Sequence, residues 1–216
     1  MKYYPGNSMD KLERNDCMKH IFEKGSSDIT LLLLHGTGGT EHDLIQLGKM
    51  VAPEASILSV RGNVLENGMP RFFRRLEEGV FDEEDLIFRT KELYEFLDEA
   101  SEKYGFDRTK IVAIGYSNGA NIAASLLFHY EDALSGAVLH HPMVPRRGIS
   151  LPNLKEAHVL ITAGELDPMC PAQEAIDLET LLADVQADVE VFWTPGGHQL
   201  VQGEVERAKD WFHEKF

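Results

Sequence analysis

Six short apolar stretches restrict what this chain can become more than any other feature. They are DITLLLLH (Asp28–His35), ASILSV (Ala55–Val60), KIVAIGY (Lys110–Tyr116), GAVLHH (Gly136–His141), HVLITAG (His158–Gly164) and VEVFW (Val189–Trp193). Most are continuously apolar rather than alternating, so each predicted strand must be covered on both faces. Segments with helical patterning lie between them and can cross from one strand to the next. The expectation is an α/β fold whose mostly parallel, doubly wound sheet is flanked by helices. CMKHIFEKG, near the start, is a candidate for one further strand.

The clearest helix is predicted within FDEEDLIFRTKELYEFLDEASEKYG, where Leu86, Thr90, Leu93, Leu97, Ala100 and Tyr104 form one inward stripe. Asp82, Glu83, Glu84 and Asp85 crowd its start, where acids oppose the positive end of the helix dipole, and Gly105 follows its end. That is a sufficient structural reason for the acidic run.

No repeat, low-complexity tract or linker interrupts the 216 residues, which reads as a single domain spanning 1–216. Hydrophobic residues make up 43% and charged residues 26%, ordinary for a globular protein. The net charge of -15 disfavours nucleic acid and anionic membranes as partners. No apolar run reaches the ~20 residues of a membrane-crossing helix. The N-terminal MKYYPGNSMDKLERND has no signal-peptide centre, and Cys17 and Cys170 form neither a metal-ligand spacing nor a disulfide framework. A soluble, cytoplasmic protein is the expectation.

Ser117 stands in GYSNG, a G-x-S-x-G match directly after the buried run IVAI and directly before a helix. Such a strand-to-helix elbow lifts a nucleophilic hydroxyl above the sheet edge. The plain alternative is an ordinary turn with Ser or Asn as a cap. A serine needs a base, and among the nine histidines His198, in WTPGGHQL after a strand run, lies on a loop at the same sheet edge. His140 and His141 also end a strand at that edge and are available to line the site. The base needs an acid to orient it, and LITAGELDPMCP offers Asp167, with Glu165 as its competitor. Asp167 is preferred because Pro168 keeps it in the loop. The order Ser117, Asp167, His198 is the α/β-hydrolase order.

LLLLHGTGGTEHDL ends a buried strand in a glycine-rich turn. There the backbone N–H of Thr37, together with that of Asn118 after the serine, is assigned to an oxyanion hole. The turn lacks both the Lys-Ser/Thr of a P-loop and the spacing of a dinucleotide loop, which argues against nucleotide binding.

On these motifs, from LLLLHGTGGTEHDL to GGHQL, the chain resembles the phospholipase/carboxylesterase branch of the α/β-hydrolase superfamily. The resemblance implies Ser117 as nucleophile, Asp167 as orienting acid, His198 as base, and Thr37 and Asn118 at the oxyanion hole. SVRGNVLENGMPRFFRRLEEGVFDEEDL is similar to the bacterial carboxylesterase subgroup rather than to the eukaryotic acyl-protein thioesterases, which usually carry tryptophan there.

Arg61 to Leu76 emerges at the active edge. Its Met69, Phe72 and Phe73 are candidates for an acyl-binding wall, and one of Arg61, Arg71, Arg74 and Arg75 for meeting an anionic group. The competing reading tucks the aromatics into the core and pairs the arginines with nearby acids. His141 and Cys170 are further candidates for the pocket. PMVPRRGISLPNLKEA, between two strands, is too short for a cap domain. The expected activity is hydrolysis of soluble short- to medium-chain carboxylic esters through an acyl-enzyme, with no metal or organic cofactor. A thioesterase or lysophospholipase is the near alternative, and a non-catalytic ligand-binding protein the distant one. An exposed apolar patch would support a homodimer, but periodicity does not locate one.

Overall fold

A computed structural model describes residues 18–216, so Cys17 and the reading of the N-terminal stretch lie outside the described residues. The first strand, β1 (His20–Glu23), confirms part of the candidate near the start. The main sheet continues with β2 (Thr30–Leu34) and β3 (Ser56–Val60). After β3 an excursion carries two small hairpins, β4 (Val64–Glu66) with β5 (Met69–Arg71), and β6 (Arg75–Glu77) with β7 (Val80–Phe81). β8 (Ile111–Tyr116), β9 (Gly136–His140), β10 (His158–Gly164) and β11 (Asp188–Thr194) complete a seven-stranded sheet of order β1-β3-β2-β8-β9-β10-β11. Only β1 runs antiparallel within it. The helices are α1 (Ile45–Val51), α2 (Glu83–Tyr104), α3 (Asn118–His129), α4 (Ala172–Asp184) and α5 (Gln202–Lys215). This is an α/β-hydrolase fold.

The continuous apolar runs are explained by two cores. In β2, Leu32 and Leu34 face the layer of α2, α3 and α4, while Leu31 and Leu33 face α1 and α5, and all four are fully buried. Full burial of a leucine contributes ~1.5–3 kcal/mol, so a polar residue on either face of β2 would be costly. Trp211 of α5 closes the second core and is fully buried. In α3 only the last residue, His129, reaches half-burial, and Ala120, Ala123 and Ala124 let it lie close to the sheet.

α2 follows its sequence pattern. Leu86, Thr90, Leu93, Leu97 and Ala100 are buried, Asp82 caps the start by accepting from the Asp85 N–H, and Gly105 ends it at φ 69°. Tyr104 is half-buried and stacks on Phe22 of β1.

The strand order reverses between β3 and β8 on either side of β2, the place where open α/β sheets gather ligands at their carboxyl ends. Leu34 lies beside Gly115 in the register, Tyr116 beside His140, and Gly164 beside Thr194. The loops after β2, β8, β9, β10 and β11 therefore leave the sheet on one edge. Among the described residues no helix is long and apolar enough to cross a membrane.

Candidate active site

β8 ends at Tyr116 and α3 begins at Asn118, so Ser117 alone makes the bend, at φ 53° and ψ -113°. A non-glycine residue at positive φ is strained and persists only where its surroundings enforce it. Here the Ser117 N–H donates to the His140 carbonyl (2.9 Å) and the Ser117 carbonyl accepts from Asn121 (3.0 Å). Gly119 admits no side chain: a Cβ there would stand 1.9 Å from the Leu34 carbonyl oxygen. The G-x-S-x-G spacing is thus a packing requirement, since α3 can start above the sheet only if this residue has no side chain.

His198, on the loop after β11, faces Ser117 with Nε2 3.0 Å from Oγ. Its Nδ1 lies 2.7 Å from Oδ2 of Asp167, on the loop after β10. The Tyr116 hydroxyl donates to the His198 carbonyl (2.8 Å) and steadies that loop. Asp167 is buried, while its competitor Glu165 is exposed. Burial alone would raise the Asp167 pKa. The N–H groups of Cys170 (2.9 Å) and Met169 (2.8 Å), together with His198, outweigh it and hold the carboxyl below its usual range.

The glycine-rich turn after β2 is pinned by His35. Its Nδ1 donates to the Gly36 carbonyl (2.6 Å) and its Nε2 accepts from the Gly62 N–H (3.0 Å), an arrangement that needs a neutral ring. Burial lowers its pKa accordingly. Thr37 and Asn118 both border the cleft at Ser117, and neither backbone N–H has an acceptor among the described residues.

The excursion supplies the other wall through two of the four candidate arginines and none of the three candidate apolar side chains. Arg71 and Arg75 border the cleft, with Met143, Met169 and Cys170 opposite. Arg61 does not: it pairs with the buried carboxylate of Glu41, below the turn. Phe72 and Phe73 are core residues, packed on His35 (centroids 4.8 Å apart) and Phe81 (5.0 Å), since the chain bends just after β5 and both side chains turn inward. Met69 sits on the rim, exposed and close to Gly38, outside the cleft lining. His141 is buried behind Asp167, not in the cleft. Cys170 does line the cleft, but burial pushes its thiol up to about 12, so it is no thiolate nucleophile.

Sequence reasoning missed the hairpins, although Asn67-Gly68, at φ 52° and 79°, is a recognisable two-residue turn. It also missed the Asn118 side chain, whose Oδ1 accepts from the Phe72 N–H (2.7 Å) and ties the excursion to the elbow. Glu204 was missed too. It lies fully buried in the first turn of α5, where a glutamate reads simply as a helix-start acid. Ligand atoms of His141, Asp167 and His198 fall within 4.8 Å of one another. They are turned on each other as donor–acceptor pairs, an arrangement that holds together without an ion.

The phospholipase/carboxylesterase family profile matches residues 18–215. MhqD of Bacillus subtilis strain 168, which carries a hydrolase name, is 60% identical over 197 residues, covering 91% of this chain and 98% of its own. A carboxylesterase structure from Bacillus cereus is 65% identical with a TM-score of 0.92, over 94% of this chain and 96% of that one. The structure of YahD with malic acid is 34% identical with a TM-score of 0.87, over 92% and 100%. With the profile spanning the whole sheet and every loop of the site, the chain belongs to the phospholipase/carboxylesterase family of α/β-hydrolases.

Proposed function

We propose that the protein is a serine carboxylesterase acting on short-chain esters through an acyl-enzyme. The observation that carries this reading is the continuous contact from Ser117 Oγ through both nitrogens of His198 to Asp167 (3.0 and 2.7 Å). Ser117 Oγ attacks the ester carbonyl while His198 Nε2 takes its proton. Asp167 keeps the Nδ1 proton in place and stabilises the imidazolium. The tetrahedral oxyanion is received by the N–H groups of Thr37 and Asn118. His198 then protonates the departing alkoxide, and the acyl group stays on Ser117. Water, deprotonated by His198, attacks the acyl carbonyl in turn, and release of the acid restores the serine. Thioesters follow the same steps, and a panel of oxygen and sulfur esters orders the two.

The cleft favours small acyl groups, since its cavity volume is about 40 Å³, room for roughly three waters at ~10–15 Å³ each. Arg75 hydrogen-bonds to Glu66 through its Nε (2.9 and 3.2 Å to the two oxygens), and its terminal nitrogens, beside the cleft, make no hydrogen bond among the described residues. With the likeness to YahD, whose structure holds malic acid, a dicarboxylate, this supports esters that bear a second, anionic group.

The test is Ser117→Ala against p-nitrophenyl acetate, butyrate and octanoate, with a fluorophosphonate probe on the unaltered protein. Expected are a loss of ~10⁴-fold or more in kcat/KM, stoichiometric labelling of Ser117, and fastest turnover of acetate. Full activity in the variant removes the serine from the mechanism. Ligand binding without labelling or turnover would make this a binding protein.

A further inference from the structure

Asp167 Oδ2 serves two imidazoles. Besides His198, the ring of His141 places Nδ1 3.1 Å away. Nε2 of the same ring lies 3.0 Å from Oε1 of Glu204, a charge contact rather than a well-aligned hydrogen bond. The side chains of His141, Asp167 and Glu204 are all completely buried. His141 holds this place at φ 52°, a left-handed conformation unusual for a residue with a side chain.

Proton accounting decides the charge of the ring. A neutral imidazole carries one N–H, so one of its nitrogens would point a lone pair at a carboxylate. The other partners of Glu204 both donate to it and so favour its ionised form. Its Oε2 accepts the Val201 N–H (2.8 Å), and its Oε1 accepts the Thr162 hydroxyl (2.6 Å). The Thr162 oxygen in turn faces Nδ1 of His140 (2.8 Å). Burial lowers the His140 pKa to about 4, so that ring is neutral and donates into Thr162, and every donor in the chain runs toward an ionised Glu204.

We propose that His141 is a positioning residue held as an imidazolium between Asp167 and Glu204, cancelling the Glu204 charge so that His198 faces one net negative charge rather than two. This rests on the reading of Ser117, Asp167 and His198 as the catalytic set. Six titratable groups surround the ring: Asp167 from the loop after β10, Glu204 from α5, His140 from β9, His198 from the loop after β11, Tyr116 from β8, and Cys170 ahead of α4. Only the two carboxylates are anions, because burial raises both the Tyr116 phenol and the Cys170 thiol. Burial alone would lower the His141 pKa, but Glu204 and Asp167 raise it above its usual value.

The test compares the pH dependence of kcat/KM for His141→Gln, Glu204→Gln and the double variant. Loss of His141 alone leaves Glu204 uncompensated, and the acid limb moves up by about one pH unit, with a roughly tenfold loss of kcat/KM on the acid side. Removing the Glu204 charge as well returns the limb close to its original position. A folded His141→Gln protein with an unmoved limb overturns the proposal, and so does a shift that Glu204→Gln fails to reverse. Nitrogen-15 NMR of the histidine rings gives a second readout that needs neither turnover nor the His141 variant. Both ring nitrogens of His141 are expected to be protonated between about pH 6 and 8 in the unaltered protein, and one of them in Glu204→Gln. A neutral His141 in the unaltered protein overturns the proposal even if the esterase reading stands. If no ester is turned over, the NMR result still decides the charge of His141.

Discussion

The two walls of the cleft at Ser117 are held by different forces. On the sheet side, the elbow and the loops after β9, β10 and β11 are fixed by backbone hydrogen bonds, a glycine with no room for a side chain, and wholly buried side chains. On the other side, the β4–β7 excursion presents two arginines held unequally: Arg71 is buried and donates to the Phe73 carbonyl (3.2 Å) and the Thr37 hydroxyl (2.7 Å), whereas Arg75, more open to solvent, is held by its ion pair with Glu66 (2.9 Å). Exposed ion pairs are worth little, typically ~0.2–1 kcal/mol, and tolerate exchange. Changes on the sheet side should therefore damage every substrate alike, whereas changes in the excursion should alter which substrate is preferred.

The largest effect is expected from Asp167→Asn, which sets an amide against the two imidazoles that now donate to Oδ2. A fall of ~10³–10⁴-fold in kcat, equal for neutral and anionic esters, is expected from steady-state kinetics. Gly119→Ala comes next. Its Cβ would collide with backbone rather than with a flexible side chain, so a loss of ~4 kcal/mol or failure to fold is expected in urea titration. A fully stable alanine variant would break the claim that backbone approach dictates the elbow.

His140 sharpens the comparison through pH. Its pKa drops from 6.5 to about 4 on folding because the ring is buried without a charge partner of its own. The unfolded chain takes up the proton first, so stability falls as pH drops from the unfolded value toward the folded one. His140→Gln should lose about 2 kcal/mol less than the unaltered protein between about pH 7 and pH 5. An equal loss of unfolding free energy in the variant and the unaltered protein, from denaturant titrations at the two pH values, would count against it. The smallest effect belongs to the excursion. Arg75→Met should lower kcat/KM for a succinate monoester about tenfold, as expected for one charged hydrogen bond, and leave a butyrate ester within about twofold. Equal losses on both would show that the excursion supports the site as a whole and does not choose substrates.

The meeting of Ser117, Asp167 and His198 was legible because each follows an apolar run, buried in β8 and β10 and half-buried in the edge strand β11, and parallel strands deliver such loops to one edge. Thr37 and Asn118 were legible for the same reason. The excursion was read less well. Phe72, Phe73 and Arg61 have the composition of a pocket wall, but whether an aromatic or an arginine faces a cleft depends on how the chain bends before and between the short hairpins, which no local pattern sets. His141 and Glu204 were hidden in another way, being distant in sequence and brought to 3.0 Å only when α5 packs against the sheet.

Local chemistry along the chain is thus enough to specify the strand–helix alternation, the doubly wound sheet and the meeting of Ser117, Asp167 and His198 at one sheet edge. These follow from periodicity, from glycine where no side chain fits, and from the hydrophobic demand of strands covered on both faces. Only the tertiary structure decided which candidate arginines border the cleft, Arg71 and Arg75 but not Arg61, that Phe72 and Phe73 turn to the core, and that a second buried histidine shares the Asp167 carboxylate. Those outcomes depend on side-chain direction and on charge pairing between distant segments, and neither exists until the layers have packed.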